Sequence, residues 1–170
     1  MIELLILYLL NKYQLTMYAV QKKISEEFAI YTKPSFGTIK PALVRLEAKG
    51  FIISKKSFSE GGRPSVFYTI TPTGMEELKR LVVARTSENP VKFLNTARIK
   101  LICSELLPAE YQLKLIEQLS VKANTIYSKA LKLIEVNDSE FYYKMVTDNI
   151  LQEYKNFISL LEGMKNGCTR

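Results

Sequence analysis

"EGGRPSVFYTIT", Glu60 to Thr71, places two glycines, an arginine and a proline directly before an alternating aromatic and β-branched run. Glycine pairs flanked by such runs read as hairpin turns. The matching strand lies upstream in "FIISKKSF", Phe51 to Phe58. The pair predicts a hairpin with Lys55 and Lys56 on it and Arg63 at its tip. A turn needs only the glycines, so the arginine asks for a second reason. That reason lies in what precedes the hairpin.

Three helical patterns come first. "MIELLILYLL" is apolar on nearly every face from Ile2 to Asn11, so as a helix it must be enclosed by other elements. "LTMYAVQKKISEEF" places Met17, Val20, Ile24 and Phe28 at helical spacing, with Thr16 as its N-cap. "SFGTIKPALVRLEAKGF" follows, with Ile39, Ala42, Leu43 and Leu46 as a core stripe and Gly50 as the glycine that ends it. Its opposite face carries Gly37, Pro41, Val44 and Ala48, flanked by Thr38, Lys40 and Arg45, and lacks acids. Pro41 leaves the start of this helix open. With Ser35 as N-cap, Pro41 deletes a hydrogen bond to Gly37; with Thr38 as N-cap, it falls in the first turn, where the donor is unpaired anyway. Either way the turn near Ser35 to Lys40 offers N–H groups suited to a phosphate. After the hairpin, Thr71-Pro72 or the Thr73–Glu76 capping box starts a fourth helix through "MEELKRLVV". The order helix, helix, helix, hairpin, helix is that of a winged helix-turn-helix.

Charge points the same way. The chain of 170 residues carries a formal charge of +7. Residues 1–85 hold 13 basic and 7 acidic side chains, and residues 86–170 hold 11 and 10. From Lys33 to Arg63 seven bases face two acids, an electrostatic footprint for a polyanion. The chain has no histidine and two isolated cysteines, Cys103 and Cys168. That removes the usual zinc sets, the common general base and the catalytic triads. Neither a glycine-rich phosphate loop nor a paired-carboxylate motif is evident, so no enzyme, cofactor or metal is expected. Cys103 lies in an apolar helical run and reads as a buried small hydrophobe. The opening run carries Glu3 where a signal peptide has positive charge, and is about half the length of a spanning helix. A cytoplasmic, soluble protein is the expectation.

"FGTIKPALVRLEAKGFI" followed by "EGGRPSVFYTITPTG" resembles the PadR family of bacterial transcriptional regulators. The paired elements are Gly37-Thr38-Ile39 with Pro41-Ala42-Leu43, Arg45-Leu46-Glu47 and Gly50, then Gly61-Gly62-Arg63-Pro64, Tyr68 and Ile70-Thr71-Pro72-Thr73-Gly74. Tyr18 stands where the family often has the tyrosine of a His-Gly-Tyr motif, here with Thr16 and Met17 before it. Lys40 stands where the family usually has an aromatic residue, and Ser65 where it has a basic one; both positions approach DNA in the family.

The resemblance implies a helix from Ser35 to Lys49 in the major groove, with Ser35, Thr38 and Lys40 nearest the DNA. Lys40 would bond guanine or hold a phosphate, and Thr38 would touch a thymine methyl or cap the helix. Lys33, Lys55, Lys56 and Arg63 are expected phosphate contacts, which set register without reading sequence. For Arg63 the minor groove is the alternative. Arg45 either joins them or pairs with an acid of its own domain near Glu47.

The second half reads as helices. "SENP", Ser87 to Pro90, makes a boundary, so residues 1–86 are expected as the DNA-binding domain and 87–170 as a helical dimerisation and effector domain. A helix beginning at Pro90 stops at Pro108. The next carries Ile116, Leu119, Ala123, Ile126, Ala130 and Leu133; the last carries Tyr143, Thr147, Ile150, Tyr154, Phe157, Leu161 and Met164. Both have a second apolar edge, including Tyr127 on the first and Tyr142, Met145 and Val146 on the second. Two isolated helices cannot bury so wide a band, so a homodimer is expected. Leu4, Tyr127, Ile150, Tyr154, Phe157 and Leu161 are its candidate interface, the first helix entering through the family resemblance. That resemblance also implies a repressor on an inverted-repeat operator, released in some members by a small aromatic or amphipathic compound. With 10 Tyr and 8 Phe, an aromatic-lined cavity competes with a plain core. The other reading of the basic face is a winged-helix protein-interaction module for an acidic protein partner.

Overall fold

The computed structural model describes residues 1–58, 64–136 and 140–168. The hairpin tip with Arg63, and Asn137-Asp138 between the last two helices, lie outside the described residues. The described chain is mainly helical with one small antiparallel sheet, and it divides into two compact units, Met1–Leu106 and Leu107–Arg170.

In the first unit, α1 (Ile2–Lys12) buries every side chain from Leu4 to Leu10. It is packed by α2 (Met17–Glu27), α3 (Phe36–Ala48), α4 (Pro72–Val83), α5 (Pro90–Ser104) and β3 (Pro64–Ile70), which is how a helix apolar on all sides stays out of water. The expected caps are present. The Thr16 hydroxyl accepts the Ala19 N–H at 3.2 Å, and Asn89 accepts from Lys92 at 3.1 Å with Pro90 at the first helical position.

Of the two readings at α4, Thr71 is the N-cap, accepting from Gly74 at 3.0 Å. Thr71 and Thr73 both donate to the Gly50 carbonyl, at 2.7 and 2.9 Å. Gly74 is obligatory there: a Cβ would lie 1.9 Å from the Phe51 carbonyl oxygen. Gly50 itself has φ +72°, the left-handed conformation that closes α3, with Phe51 N–H on Leu46 O and Gly50 N–H on Glu47 O.

The sheet has order β1-β3-β2, all antiparallel. β2 (Ile52–Phe58) and β3 form the expected hairpin, with Lys55 opposite Phe67 and Lys56 opposite Val66. β1 (Leu15–Thr16) is a third strand that the sequence did not announce, since two residues are too short to carry a period.

The second unit is a hairpin of α6 (Ala109–Val136) and α7 (Phe141–Cys168). Burial concentrates at Leu115, Ile116, Leu119 and Ala123 on α6 and at Tyr154, Phe157 and Leu161 on α7. At that end the Cys168 thiol donates to the Gln112 side-chain oxygen at 3.3 Å.

The expected domain boundary at residue 86 falls upstream of this division, because α5 belongs with the first unit. Phe93, Ala97, Ile99 and Cys103 are buried, and α5 packs on α4 and α1. The buried Lys100 amine donates to the Val82 carbonyl at 3.0 Å and to that of Ala84, so it closes the end of α4. Burial lowers its pKa to about 8, against two carbonyl oxygens that favour the ammonium. Burial pushes the Cys103 thiol up to about 12, which makes it a core group and a poor nucleophile. Among the described residues no helix is long and apolar enough to cross a membrane.

Candidate nucleic-acid interface

Ser35 is the N-cap of α3, which settles the alternative left open by Pro41. Pro41 sits inside the helix and leaves the Gly37 carbonyl without its usual donor. Ser35 caps through its carbonyl, which accepts from Thr38 and Ile39 at 3.0 and 3.1 Å; its hydroxyl lies 3.4 Å from that of Thr38. Thr38 is therefore not the cap. Its side chain is exposed together with those of Lys33, Ser35 and Lys40. No acid occupies the first turn of α3, so the positive end of the helix and two lysines lie together in one short segment.

Arg45 has a partner on another element. Its Nε donates to Glu3 on α1 at 2.8 Å. Glu47, where the sequence suggested a partner, instead accepts from Ser54 on β2. This bond identifies the side of the sheet that faces α3. Successive strand residues point to opposite faces, so Ile52, Ser54 and Lys56 share the α3 side, while Lys55 and Ser57 point the other way. Ile52 is buried and Ser54 bonds α3, which fits this assignment. Tyr68, opposite Ser54 in the ladder, is half-buried; burial and then the Glu47 charge raise its pKa. The two lysines expected to act alike are thus separated. Lys56 lies on the side of α3, and Lys55 lines a cavity of about 260 Å³ with Gln14, Ser57 and Phe67.

The sequence reading overlooked an aromatic pair. The Phe36 ring, on the first residue of α3, stacks on Tyr18 of α2 with centroids 6.1 Å apart and planes at 18°. Both rings are exposed, as is Val44 two turns further along α3. A large apolar residue directly after the Ser35 cap was the available signal.

The candidate interface residues of the helical half divide. Tyr154, Phe157 and Leu161 are buried within the single chain, and so is Leu4. Tyr127 is half-buried and Ile150 exposed. The surface of α7 instead carries Phe141, Tyr142, Tyr143, Met145 and Val146 on the turns before Ile150.

A recognition-type helix capped at Ser35, a second helix packed behind it and a β-hairpin beside it define a winged helix-turn-helix. Residues 6–80 match the model of the transcriptional regulator PadR-like family. A PadR family transcription regulator from Clostridium difficile R20291 is 31% identical, covering 46% of this chain and 79% of its own, with a TM-score of 0.41. The putative transcriptional regulator TA0346 from Thermoplasma acidophilum is 32% identical, covering 45% and 72%, with a TM-score of 0.41. Bacillus subtilis PadR in complex with operator DNA matches over 98% of both chains at 22% identity and a TM-score of 0.46. No curated protein sequence matches the chain. The chain belongs to the PadR-like family of DNA-binding transcriptional regulators, which are not enzymes.

Proposed function

We propose that this protein is a cytoplasmic repressor that binds an inverted-repeat operator as a homodimer and is released by a small aromatic or amphipathic compound. The observation that carries the reading is the exposed start of α3. Ser35, Thr38 and Lys40 stand together there with Lys33, no acid lies in the first turn, and Lys56 projects from the α3 side of the wing. Lys40 meets a guanine edge or a phosphate, and the other lysines hold phosphates. Arg63 at the wing tip reaches a phosphate or the minor groove, and Pro64 limits the entropy lost in placing it. A second copy places a second α3 on the other half-site.

Support for an effector comes from relatives. Bacillus subtilis PadR has been crystallised with p-coumaric acid, and it matches this chain at 20% identity and a TM-score of 0.40. The effector proposed here is of the same chemical class. In the chain itself, the exposed aromatic residues at the start of α7 suit such a compound as well as they suit a second copy.

Selection from randomised duplex at near-physiological salt tests the reading, run beside a Lys40→Ala, Arg63→Ala double variant. An inverted repeat enriched by the natural chain and lost by the variant is the expected result. Weak, salt-sensitive binding by both, without enrichment, would sink it and turn attention to an acidic protein partner.

A further inference from the structure

The groove-facing side of α3 is short of polar side chains. Arg45 is held by Glu3, Glu47 is an acid occupied by Ser54, and Ser35 and Thr38 have short side chains whose hydroxyls lie 3.4 Å apart. Lys40 is the long polar side chain that remains. On either side of it, one turn away, stand two apolar residues: Phe36, 43% exposed, and Val44, 58% exposed. At about 100° per residue, positions 36, 40 and 44 fan over only about 80° of the helix surface. One narrow stripe thus presents an aromatic ring, an ammonium and a branched alkyl group, with the Glu47 carboxylate held by Ser54 at its far end.

The ring is held in place. Tyr18, itself 65% exposed, stacks on Phe36 at 6.1 Å from a different helix, within the range of favourable offset stacking. Such a ring cannot fold back onto its own helix without losing that contact. Apolar surface kept in water at this spot calls for an apolar partner. The surrounding charge selects a polyanion, with Lys33 and Lys40 exposed and no acid in the first turn. In the major groove of DNA one base-edge group is a hydrocarbon, the C5-methyl of thymine.

We infer that Phe36 and Val44 read thymine methyl groups in each operator half-site, with Tyr18 as the positioning residue that fixes the Phe36 ring. The inference rests on the DNA-binding reading above and adds a base identity to it. Its consequence is an operator specified as much by where thymines stand as by hydrogen bonds.

Uracil in place of thymine tests this directly, because it removes the methyl and keeps the base pair. The full chain is bound to its selected operator, with each thymine replaced in turn. Losing one buried methyl should weaken binding about four-fold, and symmetric replacement in both half-sites about fifteen-fold. The penalty at a contacted thymine should vanish in Phe36→Ala or Val44→Ala. Both side chains are exposed, and unchanged thermal melts would show both variants folded. Tyr18→Ala should reduce the Phe36 penalty without moving that of Val44. An operator that tolerates uracil everywhere, or penalties that persist unchanged in both alanine variants, would overturn the inference and leave DNA binding standing. A chain that enriches no duplex overturns the DNA-binding reading and this one with it.

Discussion

Helix α1 and helix α7 are both rich in apolar side chains, and the protein treats them oppositely. In its 11 residues α1 buries every side chain from Leu4 to Leu10. In its 28 residues α7 buries only Tyr154, Phe157 and Leu161. The difference is one of neighbours. Four helices and a strand surround α1, so all its faces have somewhere to go. In the second unit α7 pairs with α6, and one helix covers about one stripe of another. Side chains such as Tyr142, 80% exposed, and Val146, 60% exposed, stay at the surface. Helix α1 is thus satisfied within its own unit, while α7 is left with an apolar surplus that a second copy would cover.

Substitutions can break or sharpen this contrast. The largest effect is expected from a charge in α1. Leu7→Asp places an unpaired carboxylate in a fully buried site and should unfold the first unit, whereas Val146→Asp should leave the helical circular dichroism of the chain nearly unchanged. Comparable collapse in both would show that α7 is as enclosed as α1. Next comes assembly. Val146→Glu with Ile150→Glu should halve the mass by light scattering and cut operator affinity by roughly 10²–10⁴, the loss of a linked second site. A dimer that survives both charges would move the interface elsewhere.

Smaller effects concern the closures inside the first unit. Lys100→Met removes the donor to two helix-end carbonyls and should cost about 1–3 kcal/mol in urea unfolding at pH 7. The pH dependence has a definite sign. Its folded-state pKa is lowered to about 8 from 10.5. Between these values the unfolded chain holds a proton that the folded chain has released, so stability from this group rises as pH climbs from 8 to 10.5. The natural chain should gain on Lys100→Met across that window, and a flat difference would mean the ammonium stays charged. The smallest effect is on the surface. Glu3→Gln breaks the partly exposed pair with Arg45 and should cost less than about 1 kcal/mol. The Arg45 side chain it releases toward the DNA would show as a steeper salt dependence of operator binding.

Much of the molecule was legible in the sequence because its signals are local. Thr16, Asn89 and Gly50 act within one turn of where they stand, and the enclosure of α1 follows from its having no polar face. Strand and helix periods located β2, β3, α6 and α7. The candidate site was legible by segment and not by side chain. Lys33, Ser35, Thr38 and Lys40 lie within one short segment, so the sequence names them together. Lys55 and Lys56 were paired by adjacency, although period two alone sends them to opposite faces. Which of them lies on the α3 side depends on Ser54 meeting Glu47.

The sequence by itself determined the order of the helices and of the hairpin, the basic first half and the family, but not β1. Tertiary structure decided the start of α3 at Ser35, the assignment of α5 to the first unit, the Tyr18–Phe36 stack, and which apolar residues of α7 are used up inside the chain. The physical reason is range. Caps and periods come from hydrogen bonds and side-chain geometry within a few residues, and they leave a repeating trace. The contacts of Arg45 with Glu3, of Asn95 with the Tyr31 carbonyl at 3.2 Å, and of Lys100 with the end of α4 join residues distant in the chain, where no local pattern records the meeting.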